Sequence, residues 1–150
     1  MSQWKPNATV ATLVEHNGRF LMVEEDTETG RRFNQPAGHL EHGESLLDAA
    51  LRETREETGW EVELTYLVGV YLVDKPDSDI TWLRFAFAAR PLRELDGATL
   101  DEGIVKAHWL TYDEIAARQS QHRSPVVLQC LDDYLRGEHH PLSLLHRIPL

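Results

Sequence analysis

One stretch, residues 38–60, constrains this chain more than any other: GHLEHGESLLDAALRETREETGW. Glu53, Glu56 and Glu57 stand at i, i+3 and i+4, which gathers three carboxylates within roughly a 100° arc of one helix face. The helix itself is legible locally. Gly43 breaks the chain, Ser45 is placed to cap the first turn with Asp48 three residues on, and Gly59 can close the helix in the left-handed conformation. Leu47, Ala50, Leu51 and Thr54 repeat at i, i+3, i+4 and i+7, the stripe of a helix buried on one side, and the glutamates flank it. Ala49 lies among them where a larger side chain would crowd the surface, so that surface is expected to be acidic and open.

Two readings of the cluster compete. Asp48 to Arg52 and Arg52 to Glu56 are both i, i+4 pairs, as on any solvated, salt-bridged face, each stabilising by roughly 0.2–0.5 kcal/mol. Against this, like-charged glutamates in the last turns of a helix repel one another and oppose the macrodipole. A divalent cation relieves both costs, and hard oxygen donors suit magnesium or manganese.

The stretch resembles the Nudix box, G-x5-E-x7-R-E-U-x-E-E-x-G-U with U a bulky apolar residue, at Gly38, Glu44, Arg52, Glu53, Glu56, Glu57 and Gly59. Seven fixed letters recur by chance in such a chain with odds of about one in a million. Thr54 and Trp60 depart from the pattern where aliphatic residues belong, and Ala37 stands where many members of the family carry a second glycine. The resemblance implies metal-assisted hydrolysis of a diphosphate linkage, with Mg2+ or Mn2+ held by Glu53, Glu56, Glu57 and the Gly38 carbonyl. It makes Arg52 an orienting partner of Glu56 or Glu57, and Glu44 a structural support. The general base is Glu53 in some members and an acidic residue of a later loop in others; here that loop offers Asp101 and Glu102, either of which could also be a plain surface charge. Glu41 is either a helper of the metal or a solvated loop residue.

With 150 residues and 41% hydrophobic content, the chain is expected to form one domain, residues 1–150, with a real core. A single cysteine, Cys130, sits in an apolar helical pattern and reads as an inert core thiol. With no internal disulfide possible and no apolar leader or long apolar run, a cytoplasmic location away from membranes is expected. A net charge of −10 argues against a nucleic-acid polymer as partner, although metals let an acidic protein take a small phosphate ester. The eight histidines are scattered without zinc-like spacing and read as surface residues.

Residues 7–15 and 19–24 read as strands joined by His16-Asn17-Gly18, a strong hairpin signal, followed by a polar loop over 26–32. Residues 61–73 and 80–89 read as two strands around a Pro76-Asp77-Ser78 turn, and 104–110 as a further strand. Thr111 with Glu114 caps a short helix to Ala117, and Ser124-Pro125 opens another that runs to Arg136. This order suggests an α/β fold with a mixed sheet between helices, in agreement with the curved-sheet α/β/α sandwich that the resemblance implies.

Leu83, Phe85 and Phe87 alternate with Trp82, Arg84 and Ala86. An inward Arg84 could hold a phosphate and an outward one is a solvated edge charge; Trp82 either stacks on a substrate ring or belongs to the core. Outside the box the chain is similar to small bacterial Nudix phosphatases of the NudJ type, through NATVATLVEHNGRFLMVEE, NQPAGHLE, Leu83 to Phe85, Arg123 to Pro125 and His140 to Leu142. That likeness implies release of orthophosphate from thiamin diphosphate, from its pyrimidine diphosphate precursor and from nucleoside di- and triphosphates, with Gln35, Arg84 and Arg123 around the small-molecule phosphate substrate. Arg123 has a plain alternative as the residue before the Ser-Pro helix start. Two other possibilities stand beside it: a Nudix enzyme for ADP-ribose or a noncanonical nucleoside triphosphate, and a binding module without turnover. The chain reads as a monomer or homodimer, and residues 141–150 are apolar enough to dock on the domain or on a second subunit.

Overall fold

Two residues in the left-handed region, Asn17 (φ 50°) and Gly18 (φ 75°), turn strand β1 (Asn7–His16) back into β2 (Arg19–Thr27), with His16 opposite Arg19. This is the two-residue turn whose twist suits a hairpin. A computed structural model describes residues 2–150. Beyond the turn the two strands diverge, and β1 takes a new antiparallel partner, β4 (Ala37–His39), with Val10 opposite Gly38. On its other side β1 runs parallel to β6 (Thr81–Glu94), which pairs antiparallel with β5 (Trp60–Asp74). β2 in turn carries β3 (Gly30–Asn34) and β7 (Ile104–Thr111). The result is a mixed seven-stranded sheet that opens into two leaves around the β1–β2 hairpin.

Side-chain alternation along β1 explains why helices cover both faces. Val10 packs with Ala49, Ala50, Leu67 and Phe87 beneath helix α1 (Leu46–Thr58), and Val14 continues that face with Leu21, Val62 and Ala89. Leu13 points the other way, into Val68, Ala86, Ala88, Val127, Cys130 and Leu131 under helix α3 (Val126–Leu135). Between them α2 (Tyr112–Ala117) starts with a complete capping box from Thr111 and Glu114. Cys130 is a core thiol, with burial raising its pKa. Helix α1 begins with Ser45 accepting from the Asp48 N–H and ends on Gly59 at φ 77°, as its sequence implies.

Several expectations need correction. Residues 26–32 are largely strand rather than loop: β2 and β3 meet across a tight Glu28-Thr29 turn with Thr27 opposite Gly30. Ala49 is fully buried, because α1 lies flat on β1 and β5 and covers that position; it does not leave an open surface. The Asp48–Arg52 pair is not formed, since Arg52 turns toward Glu44, Glu53 and Glu56. His122 is buried, its Nε2 bonded to the Ile115 carbonyl at 2.8 Å.

Thr54 occupies its apolar position by a specific device. Its hydroxyl donates to the Ala50 carbonyl at 2.7 Å and lies 2.8 Å from the hydroxyl of Thr12, both residues being wholly buried. Thr54 has one hydrogen to give, so Thr12 is the donor to Thr54, and this polar contact welds α1 to β1. Trp60 is accommodated by an edge-to-face contact with Trp109. Residues 140–145 lie on the domain itself: His140 exchanges two backbone hydrogen bonds with Leu67 on the outer edge of β5, and Leu142 and Leu145 pack against the α1 cluster.

Candidate active site

Strand β4 and the end of α1 are held together by groups that the sequence places 20 residues apart: the Ala37 N–H donates to Glu57 Oε1 at 2.8 Å. Next to it, Gly38 is glycine for a steric reason, since a Cβ there would stand 2.1 Å from Glu53 Cδ. The lack of a side chain lets the Glu53 carboxylate lie against the strand.

Arg52 is the organising cation. Its Nε and Nη2 donate to the two oxygens of Glu44 at 3.0 and 2.7 Å, a bidentate fork, and Nη2 also reaches the His39 carbonyl at 3.0 Å. Its Nη1 donates to Glu53 at 2.7 Å and to Glu56 at 3.2 Å. Arg52 therefore orients Glu53 and Glu56, and Glu57 is positioned by Ala37 instead. Glu44 closes the loop before α1 by accepting from the Glu41 N–H at 2.9 Å, and Arg52 holds its carboxyl below the usual range. Glu41 stays exposed, 3.6 Å from Arg52.

A loop far along the chain completes the cluster. The Asp101 N–H donates to the Glu56 carbonyl at 3.0 Å and the Leu95 N–H to the Gly59 carbonyl at 2.8 Å, so the segment after β6 is pinned to the C-terminal end of α1. Carboxylate oxygens of Glu53, Glu56 and Asp101 then lie within 4.8 Å of one another. Burial raises the Glu53 and Asp101 carboxyls, with the charge of Glu56 adding to both. Glu57, deeper still, is pushed up to about 9, chiefly by burial and further by Glu25, Glu53 and Asp101. One guanidinium cannot balance so many carboxylates, and the donor set is all hard oxygen, so the residues fit a divalent cation such as Mg2+ or Mn2+. Glu53, Glu56 and Asp101 could hold it, with Glu57 and the Gly38 carbonyl alongside.

Of these groups Glu53, Glu57 and Gly38 form one wall of a pocket of about 520 Å³. The opposite wall comes from the other side of the sheet: Arg84, Trp82, Asn34, Arg123 and Val126. Arg84 is inward and buried, its guanidinium 2.6 Å from Gln35 Oε1. Gln35, expected to face substrate, is instead buried behind the pocket wall, with Nε2 donating to the Val127 carbonyl at 2.7 Å and its oxygen committed to Arg84. Arg123 is on the rim, paired with Glu25. Glu102 lines the pocket but stays outside the three-carboxylate cluster. Glu25 and Asn34 are the site residues that sequence reasoning missed. In the sequence Glu25 falls between the second strand and the polar loop and Asn34 in the run before Gly38, and only the register of β2 against β3 and β7 turns them inward.

A mixed sheet between two helical layers, with an acidic helix end walling a pocket that also presents arginines, defines a metal-assisted hydrolase of small phosphate compounds. A NUDIX domain matches residues 4–130. The chain is 36% identical over 142 residues to the protein named Phosphatase NudJ of Shigella boydii and of Escherichia coli K12, a match covering 95% of this chain and 92% of each relative. A solved NUDIX hydrolase from Nitrosomonas europaea superposes with a TM-score of 0.93 at 43% identity, covering 96% of this chain and 98% of that one. A MutT NUDIX hydrolase from Burkholderia pseudomallei shares the fold at a TM-score of 0.73 and 17% identity, covering 87% and 98%. This chain belongs to the NUDIX family and is an enzyme acting on pyrophosphate linkages. Enzymes of this family generally depend on divalent metal, and a carboxylate cluster that could hold one is present here. Among the described residues no helix is long and apolar enough to cross a membrane.

Proposed function

We propose that residues 1–150 act as one catalytic domain, as a monomer or homodimer in the cytoplasm, that hydrolyses diphosphate linkages of small organic and nucleoside di- and triphosphates. Thiamin diphosphate and its pyrimidine diphosphate precursor belong to this set. The products are orthophosphate and the monophosphate. The observation that carries the reading is the meeting of Glu53 with Glu56 and Asp101 at the edge of a pocket that Glu53 and Glu57 line on one side and Arg84 and Arg123 on the other. The name of the relatives, Phosphatase NudJ, supports orthophosphate as product.

Bound Mg2+, or Mn2+, neutralises phosphate charge and lowers the pKa of a water. The chain's own residues do the rest. Arg52 holds Glu53 and Glu56 in place; Ala37 holds Glu57. Glu102, outside the cluster yet on the pocket wall, is the carboxylate free to take the proton as the water oxygen bonds to phosphorus and the bridging P–O bond breaks, leaving its electron pair on the monophosphate. Arg123, the exposed member of its pair with the buried Glu25, can turn a guanidinium N–H to a phosphate oxygen.

Orthophosphate release with product identification tests this, across thiamin diphosphate, nucleoside di- and triphosphates and ADP-ribose, with magnesium and with chelator. Chelator-sensitive phosphate from the first two groups is expected. Cleavage of ADP-ribose alone, to AMP and ribose phosphate, would overturn the substrate assignment.

A further inference from the structure

Arg84 differs from every other cation of the site. It is 6% exposed, and among the described residues it makes no ion pair with any carboxylate. Its hydrogen-bond partners are neutral: Gln35 Oε1 at 2.6 Å and Asn34 Oδ1 at 3.4 Å from both Nη atoms, while the Nε–H is buried without a hydrogen-bond partner and the core thiol of Cys130 lies beside the guanidinium. A buried cation kept without a counter-charge is costly unless a ligand completes it.

Asn34 shares this incompleteness. Its oxygen is turned to Arg84, which sets the amide orientation, and its NH2 makes no hydrogen bond among the described residues although Asn34 lines the pocket. Arg84 and Asn34 together thus present only donors. Trp82, two residues before Arg84 on β6, lies on the same face and lines the same pocket, offering an apolar plate beside those donors.

The register says which half of a substrate meets this surface. His39, Thr9 and Arg84 are lateral neighbours on β4, β1 and β6, and strands lie about 4.8 Å apart, so the Arg84 backbone is about 10 Å from that of His39, beside Gly38. Arg84 also belongs to the α3 face of the sheet, with Ala86 and Ala88, whereas the carboxylates project from α1 on the other face. With the carboxylates and Arg84 on opposite faces of the sheet, a diphosphate seated on the carboxylates leaves the remainder of the molecule to reach Arg84.

Resting on the hydrolase reading above, we infer that Arg84 and Asn34 read the hydrogen-bond-acceptor edge of a planar heterocycle that lies on Trp82, so that Arg84 is a specificity residue for the substrate's ring and not a phosphate clamp. The ring class is one that turns carbonyl oxygens or unprotonated ring nitrogens to the pocket wall. Gln35 is a positioning residue that fixes the guanidinium from behind.

Binding of two non-hydrolysable probes with magnesium separates the possibilities: uridine 5′-methylenediphosphonate, which carries ring carbonyls, and ring-less methylenediphosphonate. The wild-type protein is expected to prefer the uridine probe, and Arg84→Met to shrink the ratio of the two affinities by roughly 10- to 100-fold, the worth of hydrogen bonds to a charged group. Arg84→Lys, which keeps the buried charge but loses the fork, is expected to shrink it by roughly 10-fold and serves if the methionine variant melts early. An unchanged ratio, whether both probes weaken together or neither does, overturns the inference, as does a wild-type protein with no ring preference. Orthophosphate release from uridine diphosphate by the same proteins, in separate reactions, reports on the hydrolase reading, whose failure leaves the affinity ratio to decide Arg84.

Discussion

The Ala37 N–H donates to the Glu57 carboxylate at 2.8 Å, and this bond fastens a strand to the last turn of the helix that carries the acidic cluster. It is also the chief favourable contact of a carboxylate that is otherwise stranded: burial and three neighbouring acids push Glu57 up to about 9. The functional arrangement is thus held at a cost to the metal-free fold.

That cost has a sign in pH. The folded chain keeps the Glu57 proton where the unfolded chain, near the ordinary value of 4.5, has released it. The stability this contributes is complete below about 4.5 and is lost as pH rises through about 9. Metal-free protein is expected to melt at progressively lower temperature over that window, and Glu57→Gln, which keeps the acceptor for Ala37, to melt above wild type at pH 8 in chelator. The same variant is expected to lose roughly 1,000-fold in turnover, since it removes a charge meant for the metal. Thermal melts with and without chelator check the first part and kcat the second; near-wild-type turnover would sink the assignment of Glu57.

The local signals were readable because their causes are local. The Asn17-Gly18 hairpin, the Ser45 and Thr111 caps and the Gly59 terminus each rest on a few adjacent residues, and the spacing of Glu53, Glu56 and Glu57 follows from helix geometry. Asp101 was not separable from Glu102, because its place beside Glu53 depends on a backbone bond to Glu56 across two intervening strands. Alternation put Arg84 on one face of β6, yet both faces are covered, so only the packing of α3 shows that this face is interior. The β2–β3 turn was missed because Glu28-Thr29 lacks the Asn-Gly chemistry that marks tight hairpins, and Gly30 (φ 103°) stands after the turn rather than in it.

Thr54 and Thr12 form a contact whose energy can be isolated. Replacing Thr54 by valine preserves shape but leaves the Thr12 hydroxyl buried without its acceptor, a loss of about 1–3 kcal/mol. Thr12→Val in the Thr54→Val background removes the stranded hydroxyl, so the double variant is expected to recover most of that loss. Urea denaturation of the four proteins gives the coupling, and an additive cycle would show that the two hydroxyls do not interact.

Glu102 is expected to act on the proton rather than the metal. Glu102→Gln should lower kcat by roughly 100-fold, in the range of lost general-base catalysis, while leaving magnesium affinity within about twofold. If instead the magnesium requirement shifts or kcat stays near wild type, the base lies elsewhere, with Glu53 next in line.

Gly38 gives the most direct separation of site from scaffold. Its backbone takes no left-handed conformation, so alanine is tolerated by φ; the conflict is entirely with the Glu53 carboxylate, whose Cδ would lie 2.1 Å from the new Cβ. The side chain of Glu53 is the more easily moved, and in moving it leaves both its place in the cluster and its 2.7 Å bond to Arg52. Gly38→Ala is therefore expected to fold with a melting temperature close to wild type and to bind magnesium roughly 10- to 100-fold more weakly, the usual cost of disturbing the shell around a metal ligand. Calorimetric titration with magnesium alone checks this without reference to substrate. Unchanged affinity would mean that Glu53 is not among the groups that hold the metal, and a collapse of the melting temperature would mean that the strand yields before the side chain does.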